Sequence, residues 1–103
     1  MTTPDVFDSI SDPTRRKILK LLTKRDMSIV SITEHFKMTR SGVKKHLDVL
    51  FDSGLVVKKP SGRETIYSIR PDPLLEIKDW LSFFNKYWDD KVKNLKDLVE
   101  SDK

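Results

Sequence analysis

The chain has 103 residues, no cysteine, 37% hydrophobic and 35% charged residues and a net charge of +4, a profile that suits one small soluble domain with a single modest core. Without cysteine, disulfides, thiolate metal sites and cysteine nucleophiles are excluded together. There is no run of about eighteen apolar residues, and MTTPDVFDSI has neither a basic n-region nor an apolar h-region, so no membrane span or signal peptide is expected and the protein is placed in the cytoplasm.

Positive charge gathers in one part of the chain. Residues 1–70 hold 14 Lys+Arg against 8 Asp+Glu, residues 71–103 hold 6 against 8, and residues 37–63 alone hold 7 against 2. Such a local excess speaks of partners, here a polyanion, and not of fold.

In chain order, Asp5 to Ile10 reads as a short amphipathic piece. SDPTRRKILKLL then opens a clearer helix, with Asp12 at the N-cap, Pro13 in the first turn and Ile18, Leu19, Leu21 and Leu22 on the buried face. After the charged link Lys24-Arg25-Asp26, Ser28 caps a helix to Phe36 carried by Ile29, Ile32 and Phe36, with Ser31 and Glu34 facing out. A tight turn at Lys37-Met38 leads to TRSGVKKHLDVL, where Thr39 is the cap and Val43, Leu47 and Leu50 the apolar stripe. Residues 28–53 thus form a helix-turn-helix.

Within TRSGVKKHLDVL, Gly42 costs a helix about 0.5–1 kcal/mol relative to Ala, and cations sit near the positive end of the helix dipole. Both features make sense beside DNA. A small residue keeps the leading edge thin, and Arg40, Ser41, Lys44, Lys45 and Asp48 lie away from the stripe, free to enter a major groove.

Gly54 suits the end of this helix, and the period then changes to that of strands. Leu55 to Lys59 and Glu64 to Ile69 are expected to pair across a turn at Pro60-Ser61-Gly62-Arg63, with Val57, Ile66 and Tyr67 packing and Lys58, Lys59 and Arg63 exposed. The hairpin, residues 55–69, makes the domain a winged helix-turn-helix, mainly α with a small β-hairpin wing that touches phosphate or an adjacent minor groove.

From Asp72 to about Ser101 runs one long helix, Asp72 as cap and Pro73 at its first position, stepping through Ile77, Leu81, Phe84, Trp88, Val92, Leu95 and Val99. Five of the nine aromatics, Trp80, Phe83, Phe84, Tyr87 and Trp88, crowd into it, more than a monomer of this size can cover. A two-fold dimer interface is expected, formed by residues 1–11 and 71–103 through Val6, Phe7, Ile10, Ile77, Trp80, Leu81, Phe84, Tyr87, Trp88, Val92 and Leu95; a pocket for an apolar effector is the competing use of the same aromatics.

The stretches SISDPTRRKILKLL, MSIVSITEHFKMTRSGVKKHLDVLFDSGLV and KPSGRETIYSI together resemble the ArsR family of winged-helix repressors, and the tail WLSFFNKYWDDKVKNLKDLV resembles a subgroup without thiolate metal sites. The resemblance implies a homodimer on a palindromic operator, repressing a nearby operon and often its own gene. It places the DNA-reading helix on Thr39 to Leu47, with Arg40, Ser41, Lys44, Lys45 and His46 at its polar positions, and Arg63 at the wing tip. Where metal-sensing members carry cysteines this chain reads SIVSI, and its last helix has no histidine, so no metal or other cofactor is expected. His46 is assigned to the DNA surface as a phosphate or base contact, and His35 to structure.

No phosphate-binding glycine loop, paired-carboxylate motif or nucleophile-histidine-acid signature is present, so an enzyme is not expected. The sequence therefore reads as a DNA-binding regulator whose DNA-contact set is Thr39, Arg40, Ser41, Gly42, Lys44, Lys45, His46, Lys58, Lys59 and Arg63. A winged-helix module for protein interaction or RNA binding remains the alternative, since fold alone does not fix function. The operator, the regulated genes and any effector or partner protein are not encoded in a readable form.

Overall fold

Each of the first helices begins where a short acid can accept backbone N–H groups. In the computed structural model, which describes residues 3–88, Asp5 and Asp8 form a reciprocal capping box at the start of α1 (Val6–Ile10). Asp12 accepts from the N–H groups of Thr14 and Arg15 at 2.8 and 3.1 Å at the start of α2 (Pro13–Leu22), with Pro13 in the first turn as the sequence requires. Ile18, Leu19 and Leu22 then enter the core.

Two residues, Met27–Ser28, form a strand, β1, that sequence periodicity does not register. Ser28 serves twice, as the last residue of β1 and as the cap of α3 (Ile29–Thr33). The helix expected to reach Phe36 ends at Thr33. Thr33 Oγ1 donates to the Ile29 carbonyl at 2.7 Å, and the N–H groups of His35 and Phe36 bond three residues back, tightening the chain out of the α-helix. The connection between α3 and α4 is therefore longer than a turn at Lys37-Met38. Lys17 of α2 holds it, donating to the His35 carbonyl at 3.3 Å and lying 4.9 Å from the Phe36 ring centre.

Thr39 caps α4 (Arg40–Asp52), and Val43, Leu47 and Leu50 are fully buried. At its end, Gly54 takes φ 81°, with Gly54 N–H donating to the Phe51 carbonyl and Leu55 N–H to the Leu50 carbonyl. That pair of bonds is a Schellman motif, completed by burial of both Leu50 and Leu55.

Strands β2 (Val56–Ser61) and β3 (Glu64–Ile69) pair antiparallel from Val56 opposite Ile69 to Ser61 opposite Glu64, and β3 pairs on its other edge with β1, giving the order β1-β3-β2. The turn is tighter than expected. Pro60 and Ser61 belong to the strand, and Gly62-Arg63 alone make the reversal, Gly62 at φ 62° supplying the positive angle of a two-residue hairpin. The inward face is also offset by one residue: Val56 and Tyr67 are buried, whereas Val57 faces out, because residues on a strand alternate and Val56, not Val57, lies on the face of Tyr67.

After Arg70 the chain forms a 3-10 turn, Asp72–Leu74, then α5 (Leu75–Ser82). Asp72 makes no side-chain cap, and within the described residues the tail is not one continuous α-helix. Phe83 and Phe84 bond back to Trp80 and Leu81 in 3-10 fashion before residues 85–88 turn helical again. The expected course from residue 89 to Ser101, with Val92 and Leu95, lies outside the described residues.

One core unites α1 to α4 and the sheet, built from Val6, Ile18, Leu22, Ile32, Leu47 and Tyr67 among others, with Phe7, Ile10 and Ile77 packed partly against it.

Candidate nucleic-acid interface

On α4, burial of Val43, Leu47 and Leu50 fixes which residues face away. Arg40, Ser41, Lys44 and Lys45 are exposed, with Ser41 and Lys45 close to the centre of the outward face by the helical period. Thr39 is committed to its cap, accepting from Gly42 N–H at 3.0 Å. A Cβ on Gly42 would stand 3.3 Å from Thr39 Oγ1 and 3.9 Å from Met38 Sδ. The glycine thus fits the cap of its own helix, a reason for its presence that sequence alone does not reveal.

The wing brings a second set of cations to the same side. Ile29, Arg40, Ser41, Lys44, Thr65 and Tyr67 line an open groove of about 520 Å³, and Lys44, Thr65 and Tyr67 also border an adjoining one of about 340 Å³ with Lys58, Lys59 and Pro60. Arg63 stands apart at the exposed hairpin tip. Lys44 is not a free cation: its Nζ lies 3.2 Å from both Asp48 carboxylate oxygens, an exposed pair four residues apart that stabilises little and leaves the lysine able to exchange partners. Lys58 lies 4.5 Å from the Phe51 ring centre, which holds its stem against the end of α4.

Tyr67 and Thr65 enter this surface although the sequence reading assigned them no such place. Burial pushes the Tyr67 phenol up from its ordinary 10.0, with Lys44 pulling it down and Asp48 pushing it up, so the hydroxyl keeps its proton at neutral pH and can donate. Strand alternation is the signal that could have found both, since positions 65, 67 and 69 share one face.

His46 is engaged by α2. Its Nδ1 lies 3.1 Å from Arg15 Nη1 and 4.0 Å from an Asp12 carboxylate oxygen, so this edge of the imidazole is turned toward α2. His35 contributes its carbonyl to Lys17, and among the described residues no group of three or more His, Asp or Glu is placed to hold a metal. Among the same residues, no helix is long and apolar enough to cross a membrane.

Near the contact of α1 with α5, Phe7, Trp80, Phe84 and Trp88 form a ladder of rings with centroids 5.8, 5.2 and 6.3 Å apart. The surface here is far from covered: Trp80 of the ladder is 50% exposed, and Phe83, outside the ladder and omitted from the expected interface, is 84% exposed. Among the described residues assigned to a dimer contact, Val6 is the exception. It is only 3% exposed and belongs to the core of its own chain, because the α1 capping box turns it inward against α2.

Comparison with known proteins bears directly on this surface. The description "Bacterial regulatory protein, arsR family" matches residues 12–58, from the cap of α2 into the wing. The transcriptional repressor SdpR of Bacillus subtilis (strain 168) is 39% identical over 83 residues, covering 80% of this chain and 92% of that protein. Among solved structures, an ArsR family transcriptional regulator superposes with a TM-score of 0.72 at 28% identity, covering 81% of this chain and 91% of the other. An ArsR-like transcriptional regulator from Rhodococcus sp. RHA1 gives 0.67 at 31% identity, covering 90% and 88%. The likeness spans the helix-turn-helix and the wing that carry the basic surface, and the chain belongs to the arsR family of bacterial regulatory proteins, a DNA-binding transcriptional regulator and not an enzyme.

Proposed function

We propose that the protein is a cytoplasmic homodimeric repressor that binds an inverted-repeat operator, its own promoter being the first place to look. Each protomer inserts the first turns of α4 into a major groove, where Arg40, Ser41, Lys44 and Lys45 read base edges, while Lys58, Lys59 and Arg63 of the wing hold phosphates. Thr39 and Gly42 shape the leading edge, and the small Gly42 lets it come close. What supports this reading above all is the convergence of Arg40, Ser41 and Lys44 with Lys58 and Lys59 along two adjoining grooves, since a protein-interaction module has no need of that charge. The exposed aromatic ladder supports the dimer, in which Phe7, Trp80, Phe84, Tyr87 and Trp88 meet their counterparts.

The test is footprinting on the DNA upstream of the protein's own gene, followed by titration of the protected duplex over a range of salt. A slope of log affinity against log salt that grows by about 0.9 for each phosphate neutralised is expected, and Arg63→Ala should lower it by about one phosphate while weakening all sequences alike. Affinity that is flat in salt, or protection with no inverted symmetry, would reject the proposal.

A further inference from the structure

Arg15 lies on α2, outside the proposed DNA surface, yet all three of its guanidinium nitrogens are occupied. Nε donates to the Ser9 carbonyl at 2.8 Å and Nη2 to the Asp8 carbonyl at 3.2 Å, both in the last turn of α1. The third, Nη1, lies 3.1 Å from His46 Nδ1 on α4. A guanidinium has donors only, so Nδ1 takes the acceptor role in this contact. Three helices meet on one planar fork.

Directionality distinguishes this contact from the apolar packing around it. Packing of Val43, Leu47 and Leu50 against the core sets how close α4 lies and which face it presents, and a fork bonded at three points adds a directional restraint on its fine rotation that apolar contacts lack. Asp12, 4.0 Å from the imidazole, already accepts from two backbone N–H groups and adds negative charge beside the fork. On the other side, Phe7 of the same short α1 meets Trp80 of α5 edge-on at 5.8 Å. Contacts therefore run without a gap from the exposed aromatic ladder, through α1 and Arg15, to the middle of α4.

We propose that Arg15 and His46 are positioning residues for DNA reading: the fork sets the rotation of α4 relative to α1, and through it the aromatic contact dictates how Arg40 and Lys44 meet the bases. His46 then acts through Arg15 and not by touching DNA. The inference rests on α4 being the reading helix.

Full-length variants, each checked for folding by circular dichroism, are titrated with the footprinted duplex and with random duplex. His46→Ala is expected to weaken binding to the footprinted duplex about tenfold or more while changing random-DNA affinity by less than about twofold and leaving the salt slope intact, since one charge-assisted bond is lost and no phosphate contact. His46→Asn, whose amide oxygen can take the place of Nδ1, should restore most of the loss. Arg15→Lys, which keeps the charge but cannot span three acceptors, should match His46→Ala, and combining the two should add nothing. A His46→Asn variant as weak as His46→Ala, a lowered salt slope, or additive losses would overturn the proposal. Arg40→Ala run in parallel separates the two levels. If it weakens specific binding while His46→Ala does not, positioning alone fails; if it too leaves binding intact, the reading of α4 fails and the inference with it.

Discussion

Asp12 shows how one side chain serves several neighbours. Partial burial pushes its carboxyl up, but the backbone N–H of Arg15, the electrostatic pull of the His46 ring, the N–H of Thr14 and the charge of Arg15 outweigh it and hold the group below its ordinary value of 3.8. A carboxyl that releases its proton more readily when folded stabilises the fold in full above that value and loses the contribution as pH falls through the folded one. Asp12→Ala should therefore cost about 1 kcal/mol at neutral pH, the usual worth of an N-cap, and the gap to the unaltered protein should shrink below about pH 4. Urea unfolding of both at neutral and acid pH checks this, and a gap that does not change with pH would show the charge to be irrelevant. The cap was legible in the sequence because Asp12 and Pro13 act on residues two and three positions away. The inward turn of His46 was not, because its partner lies 31 residues earlier and only the tertiary fold brings them together.

Among the elements, those with a strong local period agree closely with the sequence. Helix α2 and helix α4 keep their caps and their buried faces, except that Leu21 of α2 is only partly buried, and β3 keeps its expected limits. Where the sequence misleads, hydrogen bonds override the period: Thr33 and the turn bonds behind it shorten α3, and a two-residue strand is too short to show any alternation. Gly42 is the sharpest case, since both its own cap and the approach to DNA explain it. Gly42→Ala separates them. Its helix preference gains about 0.5–1 kcal/mol, while the added methyl, 3.3 Å from Thr39 Oγ1, needs a shift of a few tenths of an ångström, so the folded state should change by less than about 1 kcal/mol. Affinity for the operator should nonetheless fall, because the methyl thickens the leading edge. Thermal melting and a DNA titration of the same preparation decide it, and unchanged affinity would leave the cap as the whole reason for the glycine.

For the molecule as a whole, the question is what covers the aromatic ladder. One helix-turn-helix reads too few base pairs for high specificity, and two related by a two-fold axis meet successive major grooves only if their α4 helices are held about 34–36 Å apart. A large apolar contact is suited to hold that spacing, and Trp80, Phe83, Phe84 and Trp88 are the exposed apolar side chains we propose for it, near where α1 and α5 meet. Trp88 offers the cleanest probe. It is already 40% exposed in the single chain, so a charge placed there remains solvated in a folded monomer. In a symmetric interface the same charge is buried twice, and each unpaired copy costs several kcal/mol. Trp88→Glu should thus give a folded monomer, normal by circular dichroism, that sediments at half the mass of the unaltered protein and has lost specific affinity while keeping weak, salt-sensitive binding to random duplex. Sedimentation and titration at matched concentration make the comparison. A variant that still sediments as the unaltered protein does would exclude Trp88 from the contact, and a monomer that still binds the full operator tightly would show that the two-fold arrangement is not what confers specificity.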